Sequence, residues 1–192
     1  MNAQPHPSQL ISDEYRKEQE YLHETTAYGT ASILYAPLVS QIVNKMQVTH
    51  LLDYGCGHMV NLAKHLKVTH KVTYQAYDPG VPRYSKEPLP AEMVACIDVL
   101  EHIEPDKLET VLDHIASLSE AIVFLSFDTG PALKTLSDGR NAHLIQQPIE
   151  WWLPKLMVRW DLQTVQASYD GGYYFVGVCK PRIESTDGVK IL

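Results

Sequence analysis

The 192-residue sequence has little cysteine, no surplus of basic charge and no long apolar run. Its three cysteines, Cys56, Cys96 and Cys179, are odd in number and widely spaced, with no CxxC pair. That excludes a disulfide framework, and two of the three sit in apolar runs where a buried free thiol is expected. A formal charge of −7 argues against non-specific nucleic-acid binding, which needs basic patches that release counterions. The longest apolar stretches, such as AIVFLSF, are far too short to span a bilayer. The first residues lack a basic segment followed by an apolar one, so no secretory signal is read and the expected location is the cytoplasm. Repeats, low-complexity segments and linkers are also missing. What remains is ordinary: 45% hydrophobic and 20% charged residues, enough for one domain with a sizeable core.

The pattern changes along the chain. Residues 9–24 read as a helix with Tyr15, Gln19, Leu22 and His23 on one face. TTAYGT breaks it, and a second helix is expected over 31–46, with Pro37 kinking it or marking its true start. From His50 onward, strand and helix signals alternate. LLDYG, VTYQAYD, MVACID and AIVFLSFD read as strands; VNLAKHL and PDKLETVLDHIASLS read as helices. That alternation predicts βαβ units and a mostly parallel sheet. After a short helix over 149–158, LQTVQASYD and GGYYFVGVCK predict an antiparallel hairpin closing one edge. PRIESTDGVKIL is expected to fray.

Four expected strands end on acids: Asp53, Asp78, Asp98 and Asp128. Ligands bind at the carboxyl ends of such strands, and carboxylates crowded there repel one another. Several together therefore point to hydroxyls and amines to be bound, though Asp128 can be read as a helix cap alone. After the first of these strands, Gly55 and Gly57 leave room for backbone amides to approach a ligand. GxGxxG is absent. Asp78 is placed to accept both hydroxyls of a ribose.

These residues resemble the class I S-adenosylmethionine-dependent methyltransferases. LLDYGCG is similar to their first motif, AYDPG to the acid ending their second strand, and CIDVLEHIEPDKLETVL to the motif after their fourth. The matches fall in order over roughly residues 49–128. DGRNAHL…WW also resembles a segment of uncharacterised bacterial and phage methyltransferases. The resemblance implies a Rossmann-like α/β fold with a C-terminal antiparallel hairpin. It implies S-adenosylmethionine as cofactor, with Asp53, Gly55, Cys56 and Gly57 around its methionine part and Asp78 and Pro79 at the ribose. Asp98, Val99 and Leu100 would line the sulfonium side, and Glu101 and His102 would lie near the substrate. The implied organisation is a helical lid over 1–48, a methyltransferase-like domain over 49–180 and a tail over 181–192.

Two departures matter. Met59 stands where the family carries a further glycine, and is expected to press on the cofactor or tilt the loop. Between Asp78 and Met93 there are only fourteen residues, four of them proline, where the family fits a helix, a strand and another helix. A sheet shortened at its third-strand edge is therefore expected, with the second strand outermost and free to pair between chains. The loop around Val81, Arg83 and Tyr84 is then expected to cover the adenine.

Other candidates follow from residue type. His23 in the lid is a candidate general base, and Tyr28 and Gly29 at the break between helices are candidates for a hinge over the cofactor. Arg140 suits a carboxylate or phosphate on the substrate, and His143 is grouped with it. Trp151 and Trp152 are expected to pack their helix on the sheet. Asp98, Glu101 and His102 spell DxxEH, similar to an ExxEH motif that binds a divalent metal in small-RNA 3′-end enzymes, where a downstream histidine also serves. VLEH is common in metal-free members, so no metal is expected. The expected function is methyl transfer to a small-molecule hydroxyl by a monomer or homodimer, without membrane or nucleic-acid partners. The alternatives are a metal-dependent RNA 2′-O-methyltransferase and a degenerate fold that binds a nucleoside without turnover.

Overall fold

The computed structural model describes residues 7–25, 30–168 and 171–180, with residues 7 and 23–25 described by backbone alone. Six strands form one sheet: β1 (His50–Tyr54), β2 (Thr73–Tyr77), β3 (Ala91–Ile97), β4 (Ser119–Phe127), β5 (Trp160–Ala167) and β6 (Tyr173–Cys179). Their order is β2-β1-β3-β4-β6-β5. The first four are parallel, and β6 runs antiparallel to both β4 and β5. The helices are α1 (Pro7–Leu10), α2 (Asp13–Thr25), α3 (Ala31–Met46), α4 (Asn61–His65), α5 (Leu108–Leu118) and α6 (Ile149–Met157). No helix among the described residues is long and apolar enough to cross a membrane.

The central strands read as near-continuous apolar runs because helices cover both faces. Side chains alternate between the faces. Leu51, Met93, Ala95 and Phe124 pack with Ala36, Val39 and Val43 of α3 and Leu62 of α4. Leu52, Val94, Cys96 and Val123 pack on the other side with Leu112 and Ile115 of α5 and Trp152 of α6. Trp152 stacks on Phe127 and donates its indole N–H to Gln147 O at 3.1 Å, so it packs as expected.

Two boundaries differ from the sequence reading, and a third settles its alternatives for Pro37. The first helix is split at Ser12, whose Oγ accepts the Tyr15 amide at 3.1 Å and so caps the start of α2. Helix α3 starts at Ala31 and runs through Pro37. Helix α5 begins at Leu108, because residues 105–107 form a turn.

The shortened edge is as expected: β2 is outermost. The proline-rich segment after it folds back on β2 instead of adding a strand. Tyr84 O accepts the Asp78 amide at 3.0 Å. Gln75 grips Leu89 by its backbone, accepting from N at 3.0 Å and donating to O at 3.2 Å.

Candidate active site

A cavity of about 660 Å³ opens at the carboxyl ends of β1 to β4. Its floor is Gly55–Gly57, Asp78–Gly80, Asp98, Val99, Glu101 and His102; its roof is Ile11, Tyr15 and Gln19; Asp128, Ala142 and His143 close one side. All four strand-end acids therefore reach this rim or lie beneath it.

The β1 turn is fixed by backbone geometry. Gly55 has φ +77°, and a Cβ there would sit 2.3 Å from a methyl of Val99. Its amide and that of Cys56 both donate to Tyr77 O, at 2.8 and 3.1 Å. Gly57, at φ +62°, points its amide at Asp78 Oδ2, 2.9 Å away. The Gly80 amide donates to the other oxygen, Oδ1, at 2.9 Å. Both carboxylate oxygens are thus held in place, and each keeps lone pairs for a ligand in the cavity. Burial pushes the Asp78 carboxyl above the usual range, and these two amides oppose the shift.

Asp98 sits at φ +50°, a left-handed conformation that a non-glycine residue adopts at a cost. Ser126 holds it there: its hydroxyl donates to Asp98 Oδ1 at 2.5 Å, and its carbonyl accepts the Asp98 amide at 3.0 Å.

Glu101 is fully buried. Its Oε1 accepts the Asp128 amide at 3.0 Å, while Oε2 faces the cavity wall with no hydrogen-bond partner. Burial, then repulsion from Asp98, pushes this carboxyl well above the usual range. His102 and His143 stand beside it, ring centroids 4.8 Å apart. Each Nδ1 donates to a backbone carbonyl at 2.7 Å, His102 to Ala142 O and His143 to Gly130 O. A carbonyl only accepts, so in the neutral rings Nε2 carries the lone pair. One ligand atom from each of Glu101, His102 and His143 lies within 4.8 Å of the others.

Several expected site residues are placed elsewhere. Asp53 is buried under the turn rather than lining the cavity, and accepts a short hydrogen bond from the Tyr74 hydroxyl. Leu100 is fully buried in the core, because the short helical turn over 100–102 directs it inward. Arg140 is exposed, paired with Asp138 at 2.6 Å, and does not line the cavity. The 81–84 segment does not line the cavity either. Val81 is buried, while Arg83 donates to His58 O and lies 4.6 Å over the Tyr84 ring. Met59 is half exposed and outside the cavity; the left-handed residue here is Val60, at φ +48°. Asp128 caps no helix: its Oδ1 accepts the Gly130 amide at 2.8 Å within an irregular segment. Of His23 only the backbone is described, and Tyr28 and Gly29 lie outside the described residues.

The roof was missed as a source of polar groups. The hydroxyl of Tyr15 and the side-chain amide of Gln19 are buried there near one another, and neither the hydroxyl nor Nε2 makes a well-formed hydrogen bond. The sequence signal was their helical spacing, which marks a buried face without saying what it covers.

No family model matches the chain, and no curated protein does. Solved structures do. The mitomycin 7-O-methyltransferase MmcR superposes with a TM-score of 0.60 at 12% identity, over 84% of this chain and 60% of that one. Magnesium protoporphyrin IX methyltransferase (ChlM) from Synechocystis PCC 6803 with bound SAH gives 0.55 at 14%, over 88% and 95%. The DhpI-SAM-HEP complex gives 0.57 at 14%, over 88% and 95%. Against TnmH the chain spans 55% of that protein's length.

Proposed function

We propose, from the Rossmann-like fold that these methyltransferase structures share, that the protein transfers a methyl group from S-adenosylmethionine to a hydroxyl of a small molecule. The observation that carries this reading is Asp78, held by the Gly57 and Gly80 amides with lone pairs turned to a cavity of donor-plus-acceptor size. When bound, the cofactor supplies a methyl group on a sulfonium, already furnished with a good leaving group. The chain has mainly to align, to exclude water and to take a proton.

Asp78 would hold the ribose diol, and the Gly55–Gly57 backbone the methionine part. The N-terminal helices would act as a lid that shuts out water. Either Nε2, on His102 or His143, would accept the proton of the acceptor hydroxyl, with the ring steered by Ala142 O or Gly130 O. Leu133, fully exposed beside Ala132 at the cavity mouth, suits an acceptor with an apolar flank. Isothermal titration tests the donor site. Micromolar binding of S-adenosylhomocysteine is expected, weakened roughly 10- to 100-fold in Asp78→Ala. Equal binding by wild type and variant would sink the reading.

One observation favours a second reading. Glu101 Oε2 is a buried carboxylate oxygen without a partner, next to two imidazoles. A divalent cation held by Glu101, His102 and His143 would neutralise it, with Ala142 O and Gly130 O orienting the two rings. The cation would supply Lewis acidity to the acceptor oxygen. Titration with manganese separates the two readings. A single site lost in His102→Ala and in His143→Ala supports the cation; no heat, with transfer indifferent to chelator, leaves the imidazoles as bases.

A further inference from the structure

The cavity needs something to read a base, and the segment after β2 does not do it. Residues 81–84 spend polar groups on each other, on the Asp78 and Ser85 backbone and on His58, and do not line the cavity. If Asp78 holds a ribose diol, the base is attached at the neighbouring ring carbon. It must then lie within a few ångströms of the Asp78–Gly80 turn. Two roof residues press on that turn. A Cβ added to Gly80 would sit 3.3 Å from Gln19 Cβ and 3.9 Å from Ile11 Cδ1. Gln19 is only 8% exposed and lines the cavity, and its Nε2 has the Tyr15 hydroxyl nearby but no well-formed hydrogen bond. A buried amide donor without a well-formed bond is costly, and a ligand acceptor would relieve it.

We infer that Gln19, on the N-terminal helix α2, is the adenine-reading residue. Adenine carries an amine donor next to a ring-nitrogen acceptor. A carboxamide matches that pair, with Nε2 donating to the ring nitrogen and Oε1 accepting from the amine. Ile11 supplies an apolar surface beside it. The function that an added strand would serve is thereby moved to the other end of the chain.

This inference rests on the proposed donor site, and its test keeps the two apart. Binding of S-adenosylhomocysteine and of its analogue lacking the 6-amino group is measured by titration on wild type, Gln19→Leu and Gln19→Glu. Unliganded melting temperatures are recorded to identify any variant that fails to fold. Wild type should prefer the adenine ligand by about tenfold. Gln19→Leu should bind both ligands weakly and alike, because the amine then has nothing to meet. Gln19→Glu keeps the acceptor and loses the donor, so it should bind more weakly than wild type yet still favour the amine. It also serves as the informative variant if Gln19→Leu does not fold. A wild type that binds with variants that keep its preference overturns the Gln19 assignment and leaves the donor site standing. A purely structural role would weaken both ligands equally with the ratio intact, and that outcome also overturns it. A wild type that binds neither ligand overturns the donor site and this inference together.

Discussion

Asp53 is an acid placed where it has little to gain. It is buried beneath the glycine turn, Tyr74 is the hydroxyl it accepts from, and Asp78 repels it. Burial is the largest influence, and together with Asp78 it pushes the carboxyl up to about 7 against the Tyr74 bond. The folded state then holds this proton more tightly than the unfolded chain. Stability from this group is fully present below the unfolded carboxylate range and is lost as pH rises through 7. A rise of about three pH units corresponds to on the order of 4 kcal/mol. Asp53→Asn keeps an acceptor for Tyr74 and removes the titration. Melting temperatures from pH 5 to 8 should therefore fall more steeply for wild type than for the variant; parallel curves would refute the assignment. Residue type and position made Asp78, Gly55, Gly57, Glu101, His102 and His143 legible as a group. They did not separate Asp53 from Asp78, since both read as strand ends; in the structure Asp53 lies within β1 and is buried, while Asp78 follows β2 and reaches the cavity. Arg140 misled for a related reason: a bare arginine in a polar loop looks available until Asp138, two residues away, takes its guanidinium.

At the scale of elements, hydrogen bonds tie the N-terminal helices to the rest of the molecule, among them one from Lys107 Nζ to Ser8 O at 3.3 Å. On one side the Ser12 amide donates to Glu104 Oε2 at 2.8 Å. On the other, Glu18 accepts from both the amide and the hydroxyl of Ser137, at 2.7 and 2.5 Å. Between these ties, Tyr15 and Leu22 pack with Leu136 and Ala142 in a small cluster apart from the main core. Leu10 anchors α1 in the main core, but the small cluster and the Glu18 tie mark α2 as a segment that opens before the sheet does. In hydrogen–deuterium exchange, Glu18→Ala and Glu104→Ala should each speed exchange across α2 while leaving β1, β3 and β4 protected. Equal acceleration in the sheet would mean that these helices belong to the main cooperative unit. The spacing of Tyr15, Gln19 and Leu22 announced a buried face. Its partner lies over a hundred residues away, which spacing alone does not reveal.

Over the whole molecule, the parallel half of the sheet followed from the sequence because helix and strand periods alternate from His50 to Phe127, except across the proline-rich segment between β2 and β3. The outermost place of β2 followed too, since four prolines in fourteen residues leave no room for another strand and its helices. What the prolines did not reveal is where the freed segment would go, and it goes back onto β2, held by Gln75. The ties on the N-terminal helices have a kinetic consequence. The cavity keeps an open mouth at Leu133, but a ligand lying under the roof is held more briefly once those ties break. Where that hold outlasts methyl transfer, residence time sets the pace of turnover, and the spent donor travels with the protein from one preparation to the next.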